Sequence, residues 1–205
     1  METIFVDQYH PNKQQFDRII DALEAGHLVI LPTDTYYCLC ALSTQVSAVK
    51  MLNLFQSALG KDRPLTFLCA SISHASELVQ VNNMTYRILN AVVPASITFL
   101  LNAQQKTLKR YHIKSRTHIG LRIPRHDLIH KILDACSGSL LCQPVEHLED
   151  DESVMKLASD YAESWLKIHY GCDNKPSTII DMTDIEPRLI RRGQDYDKIL
   201  TFINE

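Results

Sequence analysis

Between Asn12 and Gly26 the apolar residues Phe16, Ile19, Ile20 and Leu23 recur at i, i+3, i+4 and i+7, which is one buried stripe of a helix. Asn12 stands where an N-cap belongs and Gly26 lies just past the end, so this pattern predicts an amphipathic helix. It delivers the chain into a short continuous apolar run, Leu28–Leu31, read as a core strand. Val46–Ala58 reads as a second helix and "PLTFLCA" as a strand. "NMTYRILNAV" is helical and stops before Pro94, as the restriction on a residue preceding proline favours, and "SITFLLN" is a strand. "HIGLRIP" is a further strand, "HDLIHKILDAC" a helix with Leu128, Ile129, Ile132 and Leu133 on one face, and "SLLCQPV" a strand. Over Val154–Ile168 the residues Val154, Leu157, Ala158, Tyr161, Trp165 and Ile168 form a helical stripe, so the spacing predicts one helix there. "STIID" and "RLIRR" come next as strands. Short β-rich runs alternating with helices indicate an α/β fold with a mixed sheet.

Composition narrows the class without changing that picture. The 205 residues suffice for one substantial α/β domain, and 45% hydrophobic with 22% charged residues is ordinary for a folded chain and excludes a disordered one. No apolar run approaches the length of a membrane span, and the N-terminal "METIFVDQYHPNKQQ" lacks the basic and apolar regions of a signal peptide. Cysteines stand at 38, 40, 69, 136, 142 and 172, several inside apolar runs and none in a CxxC pair. They are expected to be reduced, to bind no metal, and to reside in the cytoplasm. The net charge of −3 conceals an asymmetry. Lys106, Lys109, Arg110, Lys114, Arg116, Arg122 and Arg125 fall in a stretch without an acid, whereas "EHLEDDE" from Glu146 to Glu152 is strongly acidic. A basic segment leading into a strand suits an anionic ligand such as a nucleotide or RNA.

Candidate chemistry lies at strand ends. After Leu31 the chain reads "PTDT", which puts hydroxyls at the carboxyl edge of a sheet, where α/β folds form ligand crevices. Thr33 and Thr35 share a side if the segment stays extended, although they could equally just end the strand and cap the helix beginning near Thr44. In "IGLRIPRH", Arg122 sits among apolar residues on a strand and must meet an anionic partner, protein or ligand. "KPSTIID" presents Ser177 and Thr178 at a strand start, and "LIRRG" presents Arg191 before a glycine; a turn or a surface ion pair would account for each alone.

Taken in order, "GHLVILPTDTYYCL", "RPLTFLC", "ITFLL", "IGLRIPRH", "KPSTIID" and "LIRRG" resemble the YrdC-like domain, nearest its YciO branch, from about Gly26 to Gly193. The resemblance implies a single domain over residues 1–205 with an open, twisted mixed sheet, flanking helices and a concave basic face. It implies binding of nucleotide and, in some members, of double-stranded RNA. The family includes threonylcarbamoyl-AMP synthases, nucleotidyltransferases that combine L-threonine, bicarbonate and ATP, release pyrophosphate, and supply an adenylate for tRNA adenosine modification. By this resemblance Thr33, Thr35, Arg122 and Ser177 would hold threonine in one pocket, and Arg63, His118 and Arg191 would lie near the nucleotide. Mg2+ would accompany ATP, held mainly by phosphate oxygens and water.

The chain departs from the family pattern in three places. The synthases carry a Lys-x-Arg element before the strand matching "RPLTFLC"; those positions hold Ser57 and Leu59, expected in a loop. The Ser-Ala-Asn segment after "SLLCQ" reads Pro144-Val145-Glu146, and a glycine of the family is Cys38. Each lost contact of a cation with phosphate is worth on the order of 1.5–3 kcal/mol. Two functions are compatible with this pattern: a synthase-like enzyme of weak activity, or a non-catalytic nucleotide- or double-stranded-RNA-binding module.

Overall fold

Asn12 begins the first helix as its position predicts: its side-chain oxygen accepts from the amides of Gln14 and Gln15, and Gly26 turns the chain at φ 85° just beyond the end. In this computed structural model, residues 1–7, 9–60, 66–111, 117–136, 138–148, 150–168 and 172–203 are described. The described elements run β1 (Glu2–Val6), α1 (Lys13–Glu24), β2 (Leu28–Leu31), β3 (Cys38–Leu42), α2 (Val46–Ala58), β4 (Thr66–Leu68), α3 (Ile72–Ser76) and α4 (Asn83–Val92). They continue with β5 (Ile97–Asn102), α5 (Gln105–Arg110), β6 (His118–Arg122), α6 (Asp127–Ala135), β7 (Leu140–Pro144), α7 (Glu152–Ser159), β8 (Ala162–Ile168), β9 (Thr178–Asp181) and β10 (Arg188–Arg191). The fold is therefore mixed α/β, as the alternating pattern predicts.

Two compact units divide the chain. The first comprises Met1–Arg63 and His126–Asn174, the second Pro64–Arg125 and Lys175–Glu205. In the first unit the strands are ordered β1-β8-β2-β3-β7. β8 runs parallel to both β1 and β2, while β3 is antiparallel to β2 and to β7. Ile19 and Leu23 of α1 and Leu52 and Phe55 of α2 are buried with Leu31, Leu39 and Tyr37. Full burial of each such side chain contributes roughly 1.5–3 kcal/mol. In the second unit the order is β4-β6-β5-β9-β10, with β4 parallel to β6, β5 antiparallel to β6, β9 parallel to β5, and β10 antiparallel to β9. Phe67, Leu68 and Phe99 centre its core.

Two sequence expectations are corrected. Val154–Ile168 is not one helix. Asp151 caps α7 through the amides of Ser153 and Val154, the helix ends at Ser159, and Ala162–Ile168 is strand β8. Ser164, Trp165 and Leu166 are all buried, three in succession, which a strand covered on both faces gives and a one-sided helix does not. The ladders to β1 and β2 outweigh the local helical period. Ser57 and Leu59 also do not lie in a loop. Ser57 is in the last turn of α2, its hydroxyl donating to the Asn53 carbonyl at 3.0 Å, and Leu59 is the C-cap.

Candidate functional site

The first unit's cluster is the connection 32–37 between β2 and β3. Thr33 and Thr35 do fall on one side, their hydroxyl oxygens 3.0 Å apart. The Thr33 hydroxyl donates to the Tyr36 carbonyl at 2.7 Å and accepts from the Thr35 amide at 3.2 Å. A hydroxyl has one proton and two lone pairs. Thr33 has given its proton to Tyr36, so the Thr35 hydroxyl is the donor between the two, and Thr33 is saturated within the turn. Thr33 therefore shapes the connection, and the Thr35 oxygen has the character of an acceptor. Both side chains are buried. The connection is tied on each flank: the Asn174 amide donates to the Thr35 carbonyl at 2.9 Å and the Val145 amide to the Tyr37 carbonyl at 2.8 Å. Tyr37 packs edge-on against Trp165, ring centres 5.4 Å apart.

Two of the three departures from the family pattern lie beside this connection. Cys38 and Pro144 are direct cross-strand partners in β3 and β7, so the glycine and serine replacements are one local change in shape. Glu146 comes directly after Val145, whose amide holds Tyr37.

The second unit brings Arg122, Ser177 and Arg191 onto one sheet face. Leu100 of β5 is paired with Gly120 of β6, Thr98 with Ile179 of β9, and Ile179 with Arg191 of β10. Paired residues share a face and alternate residues return to it, so Thr98, Arg122, Ser177 and Arg191 stand on the same side. The Arg191 guanidinium forks onto Ser177: Nε and Nη2 donate to its carbonyl at 3.0 and 2.9 Å, and Nη2 to its hydroxyl at 3.1 Å. Ser177 Oγ also lies 3.0 Å from Thr98 Oγ1. When Thr98 donates across that contact, both Ser177 lone pairs are used and its O–H is left to donate outward, the polarity that suits a carboxylate or phosphate oxygen. Arg122 is only 3% exposed and stands two strand spacings from Ser177, roughly 10 Å across the sheet. His118 is on that face too, but at the far end of β6, roughly 13 Å along the strand from Arg122. Arg63 lies outside the described residues.

Two residues that sequence reasoning missed complete this cluster. Thr98 is a buried hydroxyl in the apolar strand "ITFLL", a signal legible only as a polar interruption. Gly193 passes so close to the preceding strand that a Cβ there would meet the Pro176 and Ser177 carbonyl oxygens at 2.4 and 2.5 Å. Its amide donates to Thr178 Oγ1 at 3.0 Å, while Gln194 donates its amide to the Pro176 carbonyl at 2.8 Å. The β9–β10 hairpin is closed at its other end by Asp181, which accepts from the Thr183 amide and hydroxyl and from Arg188 at 3.0 Å. Partial burial alone would raise the Asp181 carboxyl, but these donors and the Arg188 charge hold it below the usual carboxylate range.

Among the described residues no cluster of three or more His, Cys, Asp or Glu stands ready to hold a metal, and no helix is long and apolar enough to cross a membrane.

Comparison with known proteins adds the family context. The family model for the Sua5, YciO and YrdC proteins, described as "Telomere recombination", matches residues 21–193. The uncharacterized protein YciO of Escherichia coli is 26% identical over 198 residues, covering 92% of this chain and 94% of its own length. The "Putative threonylcarbamoyl-AMP synthase" of Mycobacterium tuberculosis is 26% identical over 179 residues, 85% of this chain and 82% of its own. The solved structure of Escherichia coli YciO superposes with a TM-score of 0.80 at 23% identity, over 98% of each chain. That of P. abyssi Sua5 complexed with L-threonine gives 0.72 at 20% identity, over 94% of this chain and 58% of Sua5. With its strand-end hydroxyls and arginines inside the matched span, the chain belongs to the Sua5/YciO/YrdC family and is related to the threonylcarbamoyl-AMP synthases.

Proposed function

We propose that this protein is a threonylcarbamoyl-AMP synthase-like enzyme of low turnover, joining L-threonine, bicarbonate and ATP into an adenylate with release of pyrophosphate. The observation that carries the reading is the Arg191–Ser177–Thr98 network, which gathers a guanidinium and two hydroxyls on the face that also bears Arg122. Such a set is built for oxyanions: fixed donors stabilise the charge of a carboxylate or of a transferring phosphoryl group at no reorganisation cost. A relative with the same fold is solved with L-threonine, which supports threonine as the amino-acid partner. Thr33 holds the Thr35 hydroxyl in place within the 32–37 connection. Arg122 and Arg191 supply positive charge for an anionic substrate. Mg2+ would travel with ATP on its phosphates and water, needing no dedicated protein cluster.

Low turnover is expected from the departures. Ser57 and Leu59 carry no charge where the synthases have cations, and Glu146 brings a carboxylate to the segment where they have an amide. These same residues favour a second reading, a nucleotide- or double-stranded-RNA-binding module without catalysis. Pyrophosphate release from ATP separates the two. The enzyme reading expects release that needs both threonine and bicarbonate and falls when either is omitted. ATP binding without any such release overturns it in favour of the binding module.

A further inference from the structure

Strands β3 and β7 set two thiols opposite one another: Cys40 is the direct partner of Cys142. The kind of pairing is fixed by the hydrogen bonds that bracket the ladder. The Val145 amide donates to the Tyr37 carbonyl at 2.8 Å, and the Ser43 amide to the Ser139 carbonyl at 2.9 Å. Hydrogen-bonded and open pairs alternate along an antiparallel ladder. With the pairs at Tyr37 and Ser43 bonded, those at Leu39 and Ala41 are bonded as well, and the Cys40–Cys142 pair is open. Pro144, which has no N–H to give, faces Cys38 in another open pair, consistent with that phase. Open pairs bring the backbones closest, about 4.5 Å between Cα atoms. That is the near edge of the roughly 4.4–6.8 Å a disulfide spans.

Three of the four remaining thiols are placed as follows. Cys38 shares the face of Cys40 but is diagonal to Cys142, roughly 7–8 Å away. Cys69 belongs to the second unit, and Cys136 is the C-cap of α6. Cys40 and Cys142 are both buried, and the Cys40 S–H donates to the Cys38 carbonyl at 3.4 Å. The pair is thus shielded from casual oxidation and reacts only through local opening of the ladder.

We propose that Cys40 and Cys142 are a modification site, a cross-strand thiol pair that closes reversibly to a disulfide under a small thiol oxidant and staples β3 to β7 directly behind the 32–37 connection. With an azo oxidant such as diamide the balance is complete. One thiolate adds to the N=N bond, the second displaces it from sulfur, the S–S bond forms, and the two electrons and two protons leave as the hydrazine. The closed bond is expected to reopen by exchange with a thiol reductant.

The test holds the folded full chain in diamide for many times the amide-exchange lifetime of β3. Remaining thiols are then blocked with N-ethylmaleimide in denaturant, and non-reduced peptides are mapped. The expected result is a chain lighter by two hydrogens, a peptide joining Cys40 to Cys142, and full reversal by dithiothreitol. Cys38→Ala should keep the linkage and Cys142→Ala should lose it. Cys40 and Cys142 both recovered as maleimide adducts, or a linkage of Cys38 to Cys142, would overturn the proposal. Because the readout is the linkage and not turnover, its failure leaves the synthase-like reading standing.

Discussion

Gly193 shows how much a single position can control. Any side chain there collides with the Pro176 and Ser177 carbonyls, which are already held by the Gln194 amide and the Arg191 guanidinium. We expect Gly193→Ala to destabilise the protein by about 2–3 kcal/mol, the range of a forced overpacking, read as a lower urea midpoint with unchanged m. Arg191→Lys is expected to weaken threonine and ATP binding on the order of tenfold, because an ammonium cannot reproduce the fork onto the Ser177 carbonyl and hydroxyl. Titration calorimetry measures it, and unchanged affinity would remove Arg191 from the site. Burial pushes the Cys69 thiol up to about 12, with the Glu77 charge adding to it, against 9.0 for an ordinary thiol. The folded state therefore holds this proton where the unfolded chain releases it. Its contribution is fully present below about pH 9 and is lost as pH rises toward 12, at about 1.4 kcal/mol per pH unit. Denaturation of wild type and Cys69→Ala across that window should give a shallower alkaline decline for the variant.

At the scale of elements, the end of α2 holds a departure that a substitution can test. Ser57 and Leu59 close that helix, where the macrodipole places partial negative charge and favours cations. Ser57→Lys with Leu59→Arg should therefore leave folding stability within about 0.5 kcal/mol of wild type and strengthen ATP binding by returning the cations the synthases carry. Calorimetry with ATP and a urea melt check both halves. Wild-type protein that binds ATP tightly, with no gain in the double variant, would mean the phosphates are already neutralised by other groups. The same scale holds the largest misreading of local pattern. The stripe from Val154 to Ile168 is real as a spacing, yet only Glu152–Ser159 is helical, because β8 is claimed by ladders to β1 and β2. α1 and α6 keep closely to their stripes, since each needs to bury only one face.

For the whole molecule, the net charge of −3 makes generic attraction to polyanions weak, so anion binding depends on local arginines. Binding of ATP or double-stranded RNA is expected to fall steeply as salt rises from about 50 to 200 mM, with exposed charges screened beyond roughly 8–10 Å. Salt-independent affinity would point to recognition of the base or of apolar surface. The sequence by itself determined the fold class, most helices and strands, and the family, because amphipathic periods, caps and strand-end motifs are local and survive in one dimension. It also singled out Arg122, Ser177 and Arg191 as candidates for a site. Tertiary structure decided what proximity decides. Ladder register put Thr98 beside Ser177, left Thr33 saturated by its own turn, made Cys38 and Pro144 a single change, and set Cys40 against Cys142. None of these is written in spacing along the chain, since each depends on strands whose order is fixed only when non-local ladders form.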